Sequence, residues 1–205
     1  MFNRLSAYAE DLSFNELLVS PVGVREGLTN LIEQEAKNAI AGKQSGIQIK
    51  LNSLVDEQII DSLYRASKAG VPIDILVRGM CALKPGVPGL SETIKVRSVL
   101  GRYLEHSRVF RFLNEGDAVV YIGSADMMHR NLDRRVETLV RLRAQDHLNE
   151  MENLFSLAMA DTSASWHLSP DGSWLKNGGN PSSVGYVDVQ DRTMQNILNR
   201  RPGSQ

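Results

Sequence analysis

The sequence of 205 residues predicts an α/β fold in which helices flank a mixed β-sheet. Strand-like and helix-like segments alternate as far as position 78, which is typical of parallel strands joined by right-handed crossovers. Beyond that position, short β-rich segments follow one another, which indicates antiparallel strands. Hydrophobic residues make up 42% and charged residues 23% of the chain, a composition typical of globular proteins.

Three strands and two helices are predicted before position 79. Apolar residues at steps of three and four indicate the helices, whereas short apolar or alternating runs indicate the strands. Asp56 has the side chain of an N-cap for the second helix, and Gly42 and Gly70 follow the two helix ends. The strands are expected over 17–21, 47–51 and 72–78, and the helices over 24–41 and 57–69.

The second part of the chain begins with a glycine- and proline-rich loop over 79–89. Four short strands with a hairpin turn at 114–117 and a helix over 146–161 follow. Residues 162–190 have no sustained period, so we expect one domain over 1–161 and an irregular extension over 162–205 with a short helix near 192–200. The four strands are expected over 93–99, 109–113, 118–123 and 136–142.

Composition excludes several classes of protein and site. A single cysteine, Cys81, excludes an internal disulfide and a cysteine-rich metal site. The net charge of −1 argues against a nucleic-acid partner. Positions 1–11 lack the pattern of a signal peptide. Charge is nevertheless uneven, because positions 95–143 hold ten Lys and Arg against six Asp and Glu, and an anion site is expected there.

The densest polar cluster lies at 101–108 and contains His106 and Arg108. Residues two apart on an extended chain point to the same face. Such a pair can hold a phosphate, because the guanidinium neutralises charge while the imidazole exchanges a proton near neutral pH. The alternative is a surface histidine beside a solvated arginine.

A second polar cluster lies at 123–137. Ser124 after a glycine and the amide of Asn131 suit phosphate oxygens. Arginines in the same stretch can bind phosphate in a fork. The alternative is a polar loop whose arginines pair with Asp126, Asp133 and Glu137. The arginines are Arg130, Arg134 and Arg135.

Arg78 lies at the carboxyl end of the most apolar strand, where ligands collect in parallel α/β sheets. Lys50 and Asn52 end an earlier strand and can converge on the same place. The alternative for Lys50 and Asn52 is ordinary strand-end polarity.

The order of these motifs resembles the signature of phospholipase D-like proteins, in which His-x-Lys precedes Gly-Ser. The acidic residue expected after the first motif is missing, because position 113 is Leu113. More closely, positions 2–161 resemble the last domain of the polyphosphate kinase family, which is phospholipase D-like. The stretches that carry this resemblance are Leu17-Leu-Val-Ser-Pro21, Ile49-Lys-Leu-Asn-Ser-Leu-Val-Asp56, Val77-Arg-Gly-Met-Cys81, Leu104-Glu-His-Ser-Arg108, Ser124-Ala-Asp126 and Arg130-Asn-Leu-Asp-Arg-Arg-Val-Glu137.

The resemblance implies reversible transfer of the terminal phosphate of ATP to inorganic polyphosphate. It implies that Arg78 contacts nucleotide phosphates and that His106 assists transfer as an acid. The family's phosphorylated histidine and the arginines associated with Mg²⁺ lie in a sister domain, so no metal ligand is expected in this chain. The implied partners are ATP or ADP, polyphosphate, the remaining domains and further copies, in a cytoplasmic or peripherally membrane-associated enzyme.

We therefore expect a fragment or truncated homologue of a longer enzyme that contributes one wall of its site. Two alternatives stay open. One is a stand-alone module that binds polyphosphate or nucleotide without turnover, and the other is a homodimeric phosphodiesterase that pairs two His106 residues.

Overall fold

The computed structural model describes residues 14–177 and 187–199. Its strands form one nine-stranded sheet in the order β1-β7-β6-β5-β2-β3-β4-β8-β9. The β2/β3 and β3/β4 pairs are parallel and the other pairs are antiparallel, so the predicted mixed sheet is confirmed. The strands are β1 (Leu17–Val19), β2 (Ile47–Leu51), β3 (Ile73–Val77), β4 (Ile94–Ser98), β5 (Arg108–Phe112), β6 (Val119–Gly123), β7 (Thr138–Leu142), β8 (Ser165–Leu168) and β9 (Trp174–Asn177).

Four α-helices flank the sheet in the described part of the chain. The carboxylate of Asp56 accepts a hydrogen bond from the Ile59 backbone N–H at 3.1 Å, which confirms the predicted N-cap of the second helix. Gly70 follows that helix with φ +92°, a conformation that costs glycine little. The helices are α1 (Val24–Ile40), α2 (Glu57–Lys68), α3 (Gln145–Ala158) and α4 (Val189–Asn199).

The two faces of the sheet carry different cores. On the first face, apolar side chains of β2, β3 and β5 pack with α1 and α2 around buried residues such as Leu28, Leu63 and Phe110. On the second face, a smaller core joins Leu76 and Val109 to Phe155 of α3. Strand β3, the most apolar strand of the sequence, is therefore buried on both sides.

The prediction that 162–190 is irregular is wrong for two segments. Strand β8 pairs with β4, so that Arg97 lies opposite His167, and β9 pairs with β8. These strands are short and partly exposed, so they lack an apolar period. Pairing with the open edge of β4 orders them. Residues 178–186 and the predicted helix end at 200 lie outside the described residues, and the domain boundary after 161 stays a prediction.

A buried arginine holds the chain between α3 and β8. Arg97 is 4% exposed. Its Nη1 donates to the Ala160 carbonyl at 2.6 Å, and its Nη2 donates to Asp161 at 3.0 Å. These bonds satisfy the buried guanidinium and place β8 beside β4. Within residues 14–177 and 187–199, no helix combines the length and the apolar character that a membrane span requires.

We expect Phe155→Ala to lower the free energy of unfolding by about 3–5 kcal/mol, because Phe155 is fully buried in the second-face core. Denaturant titration measures this change. Leu175→Ala, at a side chain that is 60% exposed, serves as the control and is expected to change stability by less than about 0.5 kcal/mol. A loss below about 1 kcal/mol for Phe155→Ala would contradict the packing of α3 on the sheet.

Candidate functional site

The strand directions bring most of the predicted site residues to one edge of the sheet. Strands β2, β3, β4 and β6 end at this edge, whereas β5 and β7 begin there. Asn52 and Arg78 directly follow β2 and β3, Arg108 begins β5, and Ser124 directly follows β6. The predicted convergence on a strand-end edge is therefore present in the fold.

The carboxylate of Asp126 links three segments at this edge. It is 5% exposed and accepts hydrogen bonds from the Asn52 backbone N–H at 2.7 Å and the Ser53 backbone N–H at 3.3 Å. Arg108 donates to both carboxylate oxygens, at 3.3 and 2.9 Å. Burial alone raises the pKa of Asp126, but the hydrogen bonds from Arg108 and Asn52 outweigh burial, and the net pKa lies below its ordinary value.

The side chain of Asn52 connects Asp126 to Arg78 through hydrogen bonds. The Asn52 side-chain Nδ2 lies 3.4 Å from both Asp126 oxygens, so its Oδ1 faces the other way. That oxygen accepts a hydrogen bond from Nε of Arg78 at 2.9 Å. No hydrogen-bond or ion-pair partner is found within 14–177 or 187–199 for the two Nη groups of Arg78. The Arg78 guanidinium is thus oriented through its Nε, and its two Nη groups remain available to donate hydrogen bonds to a ligand.

Arg108 differs from the prediction. It does not form a phosphate clamp with His106, because its guanidinium pairs with Asp126 and also donates to the His106 carbonyl at 2.8 Å. The same-face argument fails because β5 begins at Arg108 and His106 precedes it in a loop. The His106 side chain is exposed and has no hydrogen-bond or ion-pair partner among the described residues.

Lys50 reaches the same part of the sheet edge as Arg78, as expected, but its charge is already paired within the protein. It is 7% exposed, and its Nζ pairs with Glu105 at 3.0 Å and with the Ser107 hydroxyl at 2.7 Å. Its charge is therefore neutralised within the protein. Lys50 therefore holds the residues on either side of His106.

A cavity of about 280 Å³ opens on the second face at this edge. Its polar lining includes Lys50, Arg78, Glu105 and Ser107, and its apolar lining comes mainly from β3, α3 and α4. Arg78 is part of the wall, whereas His106 is not, although both of its chain neighbours are. The structure thus brings the Arg78 side chain and the two residues that flank His106 to one cavity.

The loop over 124–137 is not part of this cavity. Ser124 is exposed, and its hydroxyl accepts a long hydrogen bond of 3.3 Å from the Thr138 backbone N–H. Asn131 is buried, and its amide donates to Glu137 at 2.6 Å, so a structural role replaces the predicted phosphate contact. Arg130 and Arg134 are exposed, and neither lines the cavity to which Arg78 belongs.

A charged cluster on α1 and α2, which the sequence analysis missed, holds this loop. Arg25 pairs with the buried Asp56 at 2.8 Å and with Asp133, and its bonds lower the pKa of Asp133 to about 2. His129 bonds to Asp133 at 3.1 Å and to Glu57 at 2.8 Å, which raises the pKa of its imidazole. Nothing in the local sequence around Arg25 signals this partnership, because Asp133 lies more than a hundred positions away.

We expect Asp126→Asn to lower the free energy of unfolding by about 2–4 kcal/mol at pH 7, because it leaves Arg108 and two backbone N–H groups without their charged acceptor. The folded pKa of Asp126 lies below the ordinary 3.8. Its stabilisation is therefore present above that value and is lost as the pH falls through the folded pKa.

Denaturant titrations at pH 7 and near pH 3 measure this effect, and the gap between the wild type and Asp126→Asn should shrink at the lower pH. Asp61→Asn, at an exposed position of α2, is the control and is expected to change stability by less than about 0.5 kcal/mol. A gap of constant size at both pH values would contradict the charged role of Asp126.

Comparison with known proteins assigns the family. The sequence profile of the family described as "Polyphosphate kinase C-terminal domain 2" matches residues 17–184. The polyphosphate kinase of Streptomyces coelicolor is 50% identical over 201 residues, which cover 98% of this chain and 27% of that protein. The polyphosphate kinase of Mycobacterium tuberculosis is 49% identical, covering 95% of this chain and 26% of that protein. The chain spans about a quarter of the length of these curated relatives.

Solved structures agree with this assignment. The crystal structure of polyphosphate kinase from Porphyromonas gingivalis matches 97% of this chain and 30% of that one, with a TM-score of 0.89 at 34% identity. Nuc from Salmonella typhimurium, a phospholipase D family member, matches 80% of this chain and 97% of that one, with a TM-score of 0.50 at 14% identity, which shows a shared fold. The phospholipase D-like fold is thus confirmed, and the chain belongs to the polyphosphate kinase C-terminal domain 2 family.

Proposed function

We propose that this chain forms one wall of the site at which a polyphosphate kinase transfers the terminal phosphate of ATP to inorganic polyphosphate and back. Family membership supports the reaction class. The observation that carries the proposal is the arrangement of Arg78, whose guanidinium is held by Asn52 on one side and has two further nitrogens without protein partners in the described structure.

Among the described residues that line the cavity, Arg78 is the cation without a carboxylate partner. Lys50, the other lysine or arginine in the cavity wall, is neutralised by Glu105. Arg108 at the same edge is neutralised by Asp126. A guanidinium that is already oriented loses little freedom when it binds, and its planar donors match two phosphate oxygens. We therefore assign Arg78 to the phosphate groups of ATP, ADP or polyphosphate.

His106 has the second role. Its imidazole is exposed, and its backbone and neighbours are fixed by Arg108 and Lys50. An imidazole near the transferred group can donate a proton to a phosphate oxygen as charge develops there. Because phosphoryl transfer depends mainly on positioned charge around the moving group, Arg78 and His106 supply part of that arrangement.

The remaining expectations from the resemblance stay proposals. Mg²⁺ is implied by the family, but within the described ranges no group of three or more His, Cys, Asp or Glu side chains is arranged to hold a metal ion. We assign no step to Mg²⁺ in this chain. Further domains of the enzyme and further copies remain the expected partners, and a cytoplasmic location, with or without peripheral membrane association, also stays a prediction.

The structure gives less support to the two alternatives. Several cations of the 95–143 surplus are paired, Arg97 with Asp161, Arg111 with Glu152 and Arg143 with Glu16, so the surplus does not form one concentrated anion site. The similarity to Nuc at 14% identity shows a shared fold alone. It does not indicate phosphodiesterase activity in this chain.

We expect Arg78→Gln to weaken polyphosphate binding by at least about tenfold at low salt, because a charge-assisted pair of hydrogen bonds is lost. Fluorescence anisotropy with labelled polyphosphate measures this, and the wild-type affinity should fall as salt is raised. Arg65→Gln, at an exposed arginine on α2, is the matched control and should bind like the wild type. Equal affinity of Arg78→Gln and the wild type would overturn the assignment.

We expect the chain incubated alone with radiolabelled ATP to acquire no stable, acid-labile label on His106. The resemblance assigns the phosphorylated histidine to a different domain, and His106 to an assisting role. Peptide mapping after acid and alkali treatment measures the label. A phosphorylated His106 that disappears in His106→Ala would show that this residue is the nucleophile instead.

A further inference from the structure

The segment that carries His106 contains neither helix nor strand over 101–107, yet it is attached to the C-terminal helix by one side chain. Gln190 in the first turn of α4 is 7% exposed and reaches this segment across more than eighty positions of sequence. No sequence motif singles out Gln190.

The Gln190 amide makes three hydrogen bonds to the segment. Its Oε1 accepts from the Tyr103 backbone N–H at 2.8 Å, and its Nε2 donates to the Tyr103 carbonyl at 2.8 Å. The same Nε2 donates to the Glu105 carboxylate at 2.7 Å. The amide thus pairs with both backbone groups of Tyr103, as a neighbouring strand would do.

The contacts continue through Glu105 to the sheet. One Glu105 oxygen accepts from Gln190, and the other pairs with Nζ of Lys50 at 3.0 Å. Lys50 also binds the hydroxyl of Ser107. Residues before and after His106 are therefore connected to α4 and to β2, while the His106 imidazole has no partner in the described structure.

Gly101 shows how closely the amide fits. A Cβ atom at position 101 would lie 2.4 Å from Oε1 of Gln190, so any larger residue has to displace the amide. This contact offers a way to disturb the amide without changing the sequence of α4.

We infer that Gln190 is a positioning residue for His106, through which α4 holds the 101–107 segment in the geometry needed at the phosphate site. The inference rests on the proposed function for the role of His106, but not for the attachment itself. An unattached loop would spread His106 over many conformations, and a small displacement of a catalytic group lowers its effect strongly.

The first test measures the attachment without activity. In the full chain, we expect Gln190→Ala and Gly101→Ala each to speed amide hydrogen exchange at Tyr103 by at least about tenfold, as measured by NMR. Gln195→Ala removes the same side chain from an exposed position of α4 and should leave that exchange unchanged. If Gln190→Ala does not fold, Gly101→Ala provides the same measurement. Unchanged exchange at Tyr103 in the folded variants would overturn the inference.

The second test asks whether Gln190 acts through His106. We expect Gln190→Ala to weaken polyphosphate binding by about fivefold, with less than about a twofold further effect when His106→Ala is already present, because residues that act through one another are not additive. An undiminished effect in the His106→Ala background would show that Gln190 acts on another part of the site and would overturn its positioning role.

The two tests separate the inference from the proposed function. Absence of polyphosphate binding in the wild type would overturn the proposed function, while hydrogen exchange at Tyr103 would still decide whether Gln190 holds the segment. Binding together with unchanged exchange would support the proposed function and reject the role of Gln190.

Discussion

The buried carboxylate of Asp126 is the constraint on which the arrangement of this sheet edge depends. It joins the end of β2 to the start of β5 through backbone and guanidinium hydrogen bonds. Through Asn52 it also determines which side of the amide faces Arg78. A buried charge of this kind is costly unless every neighbour is placed to satisfy it. The hydrogen bonds that satisfy the Asp126 carboxylate therefore also orient Arg78, although no hydrogen bond joins Asp126 to Arg78 directly.

The two faces of the sheet differ in the polar side chains that they bury. The first face is apolar and packs against α1 and α2. The second face buries three cations, and each finds its partner in a different segment: Lys50 in the His106 segment, Arg97 after α3 and Arg111 on α3. The Arg97 and Arg111 pairs attach α3 and the residues that follow it to the sheet. Because α4 also lines the cavity beside Arg78, this helix belongs to the candidate site as well as to the core.

Ion pairing within the protein distinguishes the candidate ligand-binding cation from the other basic side chains. Several basic side chains near the sheet edge are paired with carboxylates, as in the pairs Arg108–Asp126 and Arg25–Asp133. Arg78 is held by a neutral amide instead, so its charge remains available to a ligand. A site for a highly charged substrate can be built in this way with few free cations, each one oriented in advance.

Local sequence determined the helices, most strands and the Asp56 cap, because amphipathic periods and capping side chains act over a few residues. It also singled out Arg78 and His106, whose motifs carry the family resemblance. Only the tertiary structure decided that Lys50 and Arg108 are neutralised, that Asn131 is structural, that β8 and β9 extend the sheet, and that Gln190 holds the His106 segment. Each of these outcomes depends on a partner that chain folding brings close. The local sequence around a charged or amide side chain does not indicate which distant residue will be its partner.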